Sequence, residues 1–202
     1  MVKSTSRNAK ISLDSQQTGR SDGLGRDRVG VVVLVGFMGA GKTTVGQELA
    51  RRLNWRFYDL DDLIQATEGT TIEQIFQQRG EIAFRQVERR ILASALANKS
   101  SRQVLALGGG AFVDPENQTL LRSAGVPAVF LDAPVEELFA RSDQPGVVRP
   151  LRRDRDHFCA LYEQRRPEYA RAAVCVQTSG KEIAVIAAEV IEALKLKPGE
   201  GE

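Results

Sequence analysis

Residues 36–44, GFMGAGKTT, combine the residue types that hold a phosphate group. Gly36 and Gly41 enclose four residues and are followed by Lys42 and Thr43, which is the P-loop pattern. Such a loop turns backbone N–H groups towards an anion, the lysine supplies a mobile charge for the β- and γ-phosphates, and the hydroxyl can bind Mg²⁺. The pattern predicts an ATP or GTP site, with the Lys42 ammonium unpaired by core groups. The predicted nucleotide-binding residues are Gly39, Ala40, Gly41, Lys42, Thr43 and Thr44.

The flanking segments favour a P-loop over a glycine-rich turn that carries a lysine by chance. The preceding run, VGVVVLVG at 29–36, is rich in β-branched residues and is typical of a strand buried on both faces. The following segment, TVGQELARRL at 44–53, has the apolar spacing of a helix. A phosphate-binding loop requires this strand-to-helix context.

Three further motifs could hold the group that accepts the phosphate. They are FYDLDD with Asp59 and Asp61, FRQVE with Arg85 and Glu88, and LALGGGA with Gly108, Gly109 and Gly110. Ligands of open α/β sheets bind at the carboxyl ends of the strands, where these motifs are predicted to lie. Each has an ordinary alternative: Asp61 or Asp62 as a helix N-cap, Arg85 in a surface ion pair, and the glycines as a flexible turn. Their coincidence with a P-loop favours a site.

The elements that must position these motifs alternate along the chain. Predicted strands begin at or near residues 29, 56, 102, 126 and 172, and helical patterns occupy the segments between and after them. Pro167 is expected to end the helix DHFCALYEQRR, directing Arg165 off its end. Strands separated by helices form parallel sheets with right-handed crossovers. The predicted fold class is α/β: a five-stranded parallel sheet flanked by helices, with a mobile lid.

Composition limits the classes of partner. Lys+Arg 28 against Asp+Glu 26 gives no basic field for nucleic acid, and no apolar run approaches the roughly 20 residues of a membrane span. Cys159 and Cys175 are too few for a disulfide framework or a zinc finger, and they suit a reducing cytoplasm. Residues 1–28 read as a disordered leader, 29–196 as one domain and 197–202 as a tail. Acidic residues in the leader disfavour the alternative of an organelle transit peptide.

The order and spacing of these motifs resemble those of shikimate kinases. The resemblance rests on GFMGAGKTT, FYDLDD, FRQVE, LALGGGA, VVRPL and RRPEY, and it covers residues 30–194. It implies a P-loop kinase similar to nucleoside monophosphate kinases, generally monomeric, with a lid at about residues 142–157. It also implies transfer of the ATP γ-phosphate to the 3-hydroxyl of shikimate, with Mg²⁺, in the synthesis of chorismate and the aromatic amino acids.

The resemblance also implies roles for individual residues. It makes Lys42, Asp61 and Arg149 catalytic, with Asp61 as the general base and Arg149 as the lid residue over the phosphates. Thr43 and Asp59 would hold Mg²⁺, and Arg141 and Arg149 would contact ATP. Shikimate would be bound by Asp61, Arg85, Gly108, Gly109, Gly110 and Arg165, with Glu88 orienting the arginines and with Phe76 and Phe84 as pocket walls. Arg152 and Arg153 depart from the family pattern, which has an apolar residue after RPL.

Two other functions are compatible with the P-loop alone. One is a different small-molecule kinase, such as a gluconate or nucleoside monophosphate kinase, which would need neither the triple glycine nor RRPEY. The other is a catalytically silent ATP-binding protein, which would need none of Asp61, Arg85, Arg149 and Arg165. Turnover of shikimate separates both from the first interpretation.

Overall fold

The structure, a computed structural model, describes residues 29–97, 102–142 and 154–199. The predicted leader, most of the predicted lid with Arg149, and the end of the tail lie outside these ranges. Among the described residues, no helix is both long and apolar enough to cross a membrane.

A single parallel sheet forms the centre of the described structure. Its strands are β1 (Val31–Val35), β2 (Arg56–Asp59), β3 (Gln103–Ala106), β4 (Ala128–Asp132) and β5 (Val174–Gln177). Their order is β2-β3-β1-β4-β5, and every neighbouring pair is parallel. All residues of β1, β3 and β4 are buried, as expected for apolar strands covered on both faces. The predicted α/β fold class with a five-stranded parallel sheet is confirmed, and the mobile lid stays a prediction.

Helices connect the strands and cover the sheet. They are α1 (Lys42–Leu53), α2 (Leu60–Glu68), α3 (Ile72–Ala97), α4 (Pro115–Ser123), α5 (Val135–Arg141), α6 (Arg155–Tyr169) and α7 (Ile183–Leu194). The core residues Leu34, Leu49 and Leu105 are fully buried between the sheet and the helices. Because all strands run parallel, their carboxyl ends lie at the same edge of the sheet, and the loops that follow them meet there.

Helix α3 consists of two helical segments that are joined by a bend at Gly80. Gly80 has φ 77° and ψ 175°, a conformation that is essentially restricted to glycine. The rings of Phe76 and Phe84 pack together across the bend, with centroids 4.4 Å apart. The second segment carries Arg85 and Glu88, and the Arg85 guanidinium lies beside Gly110, which follows β3.

Helix α6 does not end where the sequence predicts. It continues through Pro167 to Tyr169, so the prediction that Arg165 points off a helix end is wrong. A proline inside a helix removes one backbone hydrogen bond and is unfavourable by roughly 3 kcal/mol. Tertiary contacts on both sides of Pro167 offset this, because Arg166 binds Asp132 and the Tyr169 hydroxyl donates to the Gly109 carbonyl.

Candidate active site

The loop between β1 and α1 has the geometry of a phosphate cradle. Gly39 has φ 80°, and a Cβ there would collide with the Leu138 carbonyl of α5, so only glycine fits. Gly41 is the N-cap of α1 and has a left-handed backbone conformation, and no side chain in the described part of the chain caps this helix end. The first N–H groups of α1 and its positive dipole end are therefore directed at the loop.

Lys42 lies at this helix start and bends back over the loop. Its Nζ donates hydrogen bonds to the carbonyl oxygens of Gly36 at 2.9 Å and Phe37 at 3.1 Å. The prediction that Lys42 is unpaired is therefore wrong. A partly buried ammonium with three donors needs acceptors, and the loop carbonyls provide them.

Thr43 and Asp59 form a pair of oxygen ligands beside the loop. The Thr43 hydroxyl donates to Asp59 Oδ2 at 3.2 Å, and Asp59 Oδ1 accepts from the backbone N–H of Asp61 at 3.0 Å. Asp59 is thus the N-cap of α2, so the alternative of Asp61 or Asp62 as the cap is wrong. Burial raises the pKa of Asp59. Mg²⁺ prefers such hard oxygen ligands and keeps several waters, so this pair fits it.

Asp61 is a carboxylate in a weakly solvated position. Burial, followed by the negative charge of Asp59, raises the pKa of Asp61 to about 6, although Lys42 and Arg85 act in the opposite direction. A carboxyl group with a pKa near 6 can accept a proton at neutral pH. The elevated pKa is a property of functional carboxylates as well as of buried ones.

The triple glycine after β3 lies against three different charged side chains. A Cβ on Gly108 would be 2.6 Å from Asp61 Oδ1, one on Gly109 would be 3.5 Å from Arg165 Nη1, and one on Gly110 would be 2.7 Å from Arg85 Nη2. A side chain at Gly108 or Gly110 would push Asp61 or Arg85 away, whereas one at Gly109 would make an ordinary contact with Arg165. The run therefore brings Asp61, Arg85 and Arg165 around one stretch of bare backbone.

Arg85 is held by two acidic residues of its own helix. Its Nη1 donates to Glu88 at 2.8 Å and its Nη2 to Glu81 at 3.4 Å. Desolvation would lower the pKa of Arg85, but the charge and hydrogen bond of Glu88 and then of Glu81 raise it overall. The Glu88 side chain is only 2% exposed and that of Glu81 is 69% exposed. The Glu88 contact is therefore fixed, whereas the Glu81 contact is open to exchange for another anion.

A cavity of about 290 Å³ is lined by both Arg85 and Arg165. Its lining residues are Glu81, Arg85, Gly110, Val113, Asp114, Leu161, Gln164 and Arg165. A larger cavity of about 420 Å³ lies between α2, α3 and the edge of the sheet, and it includes none of the predicted site residues. The smaller cavity is the better candidate for an anionic ligand, because two cations face it.

Comparison with known proteins decides the family. The model of the shikimate kinase family matches residues 38–195. The chain belongs to the shikimate kinase family. A shikimate kinase from Frankia casuarinae is 48% identical over 157 residues, which are 75% of this chain and 67% of that protein. One from Moorella thermoacetica is 40% identical over 168 residues, which are 82% of this chain and 95% of that protein.

A solved structure agrees with this family membership. The structure of a shikimate kinase from Acinetobacter baumannii, in complex with shikimate, is similar with a TM-score of 0.76 and 32% identity. The similarity covers 84% of this chain and 94% of that one. The predicted family and kinase activity are confirmed, and the alternatives of a gluconate or nucleoside monophosphate kinase and of a silent ATP-binding protein are not supported.

Some residues assigned by resemblance to shikimate kinases lie apart from this cavity. Phe84 is buried beneath Arg85, whose guanidinium carbon is 5.2 Å from the ring centroid, and neither Phe84 nor Phe76 lines the cavity. Arg141 lies on the β5 side, where it donates to Thr178 at 3.2 Å and Glu137 at 2.7 Å. Its predicted contact with ATP stays a prediction, as does that of Arg149.

The structure adds cavity residues that sequence reasoning missed. Leu161 and Gln164 line the cavity together with Arg165. Leu161 lies four positions before Arg165 and three before Gln164, which places it on the helix face of both. The spacing of Leu161 from Arg165 was the available signal. Tyr169 was missed as well, although it lies in the RRPEY motif. Its hydroxyl bonds the Gly109 carbonyl, and burial raises its pKa to about 12.

Proposed function

We propose that the protein catalyses ATP-dependent phosphorylation of the 3-hydroxyl of shikimate, giving shikimate 3-phosphate for the synthesis of chorismate and the aromatic amino acids. The contact of the triple glycine with Asp61, Arg85 and Arg165 carries this proposal. It provides one acid and two cations around a surface that a compact hydroxylated ring could approach closely. We propose further that the protein acts as a monomer in the cytoplasm, where ATP is available and its free cysteines stay reduced.

The loop between β1 and α1 would bind the phosphates of ATP. Lys42 would exchange the carbonyls of Gly36 and Phe37 for phosphate oxygens, which carry more negative charge. Thr43 and Asp59 would hold Mg²⁺, which neutralises charge on the phosphates when it is bound. Exposed Thr44 and the backbone of Gly39, Ala40 and Gly41 would complete the nucleotide site.

Arg85 and Arg165 would hold the carboxylate of shikimate. The Glu88 carboxylate keeps Arg85 in place through Nη1, and among the described residues Nη2 has one long contact, to exposed Glu81. A substrate carboxylate could therefore replace Glu81 on Arg85 while it reaches Arg165 across the cavity. Planar guanidinium groups recognise carboxylates through two parallel hydrogen bonds.

Asp61 would then face the ring hydroxyls beside Gly108. With a pKa of about 6 it is deprotonated at neutral pH and can accept the proton of the attacking hydroxyl. Phosphoryl transfer depends strongly on positioning, so orientation of the hydroxyl is the second role of the same contact. Arg149 would add positive charge over the transferred phosphate.

Arg165→Lys tests the carboxylate contact. Lysine keeps the charge but loses the planar fork, and hydrogen bonds to charged groups contribute about 1.5–3 kcal/mol. We expect the shikimate KM to rise at least about tenfold in a coupled ADP-release assay, with the ATP KM nearly unchanged. Arg122→Lys is the matched control, because Arg122 bonds only Thr119 of its own helix among the described contacts.

A shikimate analogue with a carboxamide in place of the carboxylate completes the test. Wild type should phosphorylate it poorly, and the Arg165→Lys variant should discriminate little further, because the same contact is already lost. Equal efficiency of shikimate and the carboxamide in wild type would contradict the two-arginine site and the substrate proposed for it.

A further inference from the structure

A buried carboxylate at the end of β4 joins the sheet to α6. Asp132 is 2% exposed. Its Oδ1 accepts from the Tyr162 hydroxyl at 2.8 Å, and its Oδ2 accepts from Arg166 Nη2 at 2.8 Å and Gln177 Nε2 at 3.2 Å. Arg166 Nε also donates to the Tyr162 oxygen at 3.1 Å. Tyr162, Arg166 and Asp132 thus form a closed triangle, which we call the Asp132 cluster.

The same helix carries Arg165 on a neighbouring face. Tyr162 and Arg166 are four residues apart and share the face towards Asp132, whereas Arg165 and Tyr169 share the face towards Gly109. Successive residues of a helix are rotated by roughly 100°, so the two faces turn together. A rotation that released Arg166 from Asp132 would also move Arg165 away from the glycine run.

Pro167 makes such a restraint necessary. It lies inside α6 and has no N–H group to bond the carbonyl one turn earlier, so the last turn has one backbone hydrogen bond fewer. Side-chain contacts therefore add to what holds this turn. Arg166 precedes the proline and is bound to Asp132, the last residue of β4, whereas Tyr169 follows the proline and is bound to Gly109 in the turn after β3.

We propose that Asp132 is a positioning residue for the acceptor: through Arg166 and Tyr162 it fixes the rotation of α6 and so directs Arg165 into the cavity. The proposal rests on the proposed function, in which Arg165 binds the shikimate carboxylate. Asp132 itself does not line the cavity. Its effect on shikimate is exerted through Arg165.

Asp132→Asn separates this role from effects on the nucleotide side. The amide oxygen can still accept from Tyr162, but its NH₂ group cannot accept from Arg166. Thr178 is held by the backbone carbonyl of residue 132, with N and Oγ1 at 2.8 and 3.1 Å, and asparagine keeps that carbonyl. The substitution therefore loosens α6 and leaves the neighbouring Thr178 in place.

We expect Asp132→Asn to raise the Kd of shikimate, measured by calorimetry, about 5- to 30-fold. This is less than the roughly 10- to 150-fold of losing one direct hydrogen bond to a charged group, because the effect is exerted through Arg165. The ATP KM should change less than about twofold and kcat less than about threefold. Glu189→Gln is the matched control, because it breaks the Lys181–Glu189 ion pair at 2.7 Å, away from the cavity. It should leave the Kd of shikimate unchanged.

A double-substitution cycle with Arg165→Lys tests whether Asp132 acts through Arg165. In the Arg165→Lys background, Asp132→Asn should raise the Kd of shikimate less than about twofold, because the contact it supports is already impaired. Additive effects would overturn the proposal. Arg166→Ala provides a second route if Asp132→Asn unfolds the protein, since the Arg166 side chain is 51% exposed. It should raise the Kd of shikimate similarly.

The outcomes distinguish this inference from the proposed function. If wild type neither binds nor phosphorylates shikimate, the proposed function is wrong. If wild type binds shikimate but Asp132→Asn and Arg166→Ala lower only the melting temperature, the Asp132 cluster is merely structural and the inference is wrong.

Discussion

Asp61→Asn should separate catalysis from stability at one position. The amide can hydrogen-bond a substrate hydroxyl but cannot accept its proton, so kcat should fall on the order of 10²- to 10⁴-fold. The shikimate KM should stay within about threefold of wild type, because the hydrogen bond is retained. Burial raises the pKa of Asp61 to about 6, so the wild-type kcat/KM should fall as the pH drops through about 6. The residual activity of the variant should not show this pH dependence.

The same pKa predicts that the inactive variant is more stable. The pKa rises from its ordinary value of 3.8 to about 6 on folding, so the native state binds the proton more tightly than the unfolded state. Stability therefore falls as the pH rises from about 4 to about 6, and the full penalty is present above about 6. A shift of about two units corresponds to about 3 kcal/mol at 1.36 kcal/mol per unit, as an upper bound. Asp61→Asn should therefore increase the free energy of unfolding by part of this amount near pH 7.5 and should not increase it near pH 4.

Urea unfolding at both pH values and the pH profile of kcat/KM measure these effects. Asp62→Asn is the control, since Asp62 is an exposed neighbour on the same helix turn and should change neither quantity much. A fall in kcat of less than tenfold would restrict Asp61 to orientation of the substrate. A variant less stable than wild type near pH 7.5 would refute the assignment of its raised pKa to burial.

Two further substitutions address the phosphate and the acceptor separately. Lys42→Met should lower kcat by at least about 10²-fold, because a preorganised charge at the phosphates is lost, while circular dichroism shows an unchanged fold; near-normal ADP release would contradict the role of the loop. Gly110→Ala should raise the shikimate KM about tenfold, because the new Cβ would lie 2.7 Å from Nη2 and 2.9 Å from Nη1 of Arg85 and would displace the guanidinium. The unfolding midpoint should fall as well, because the contact of Arg85 with buried Glu88 is disturbed. An unchanged KM would show that Arg85 does not need its present position.

The sequence predicted the strands, and it marks the candidate site residues, because both kinds of signal are local. An apolar run, a P-loop and an Asp-x-Asp at a strand end can each be recognised from a few consecutive residues. The strand order β2-β3-β1-β4-β5 has no such signal, since it depends on which way each crossover returns. Likewise, Lys42 donates to backbone carbonyls. Every residue has a backbone carbonyl, so no sequence motif predicts these acceptors.

Helix α6 shows why a correct local rule can predict the wrong structure. Pro167 disfavours helix geometry at Arg166, and from the sequence alone a helix end at this point is the lower-energy choice. The chain nevertheless continues as a helix because Asp132, distant in sequence, binds Arg166, and the Gly109 carbonyl, also distant, binds Tyr169. Both contacts lie next to the residue proposed to bind substrate. The local preference is overridden where Arg165 must face the cavity, so the wrong prediction itself indicates where tertiary structure shapes the site.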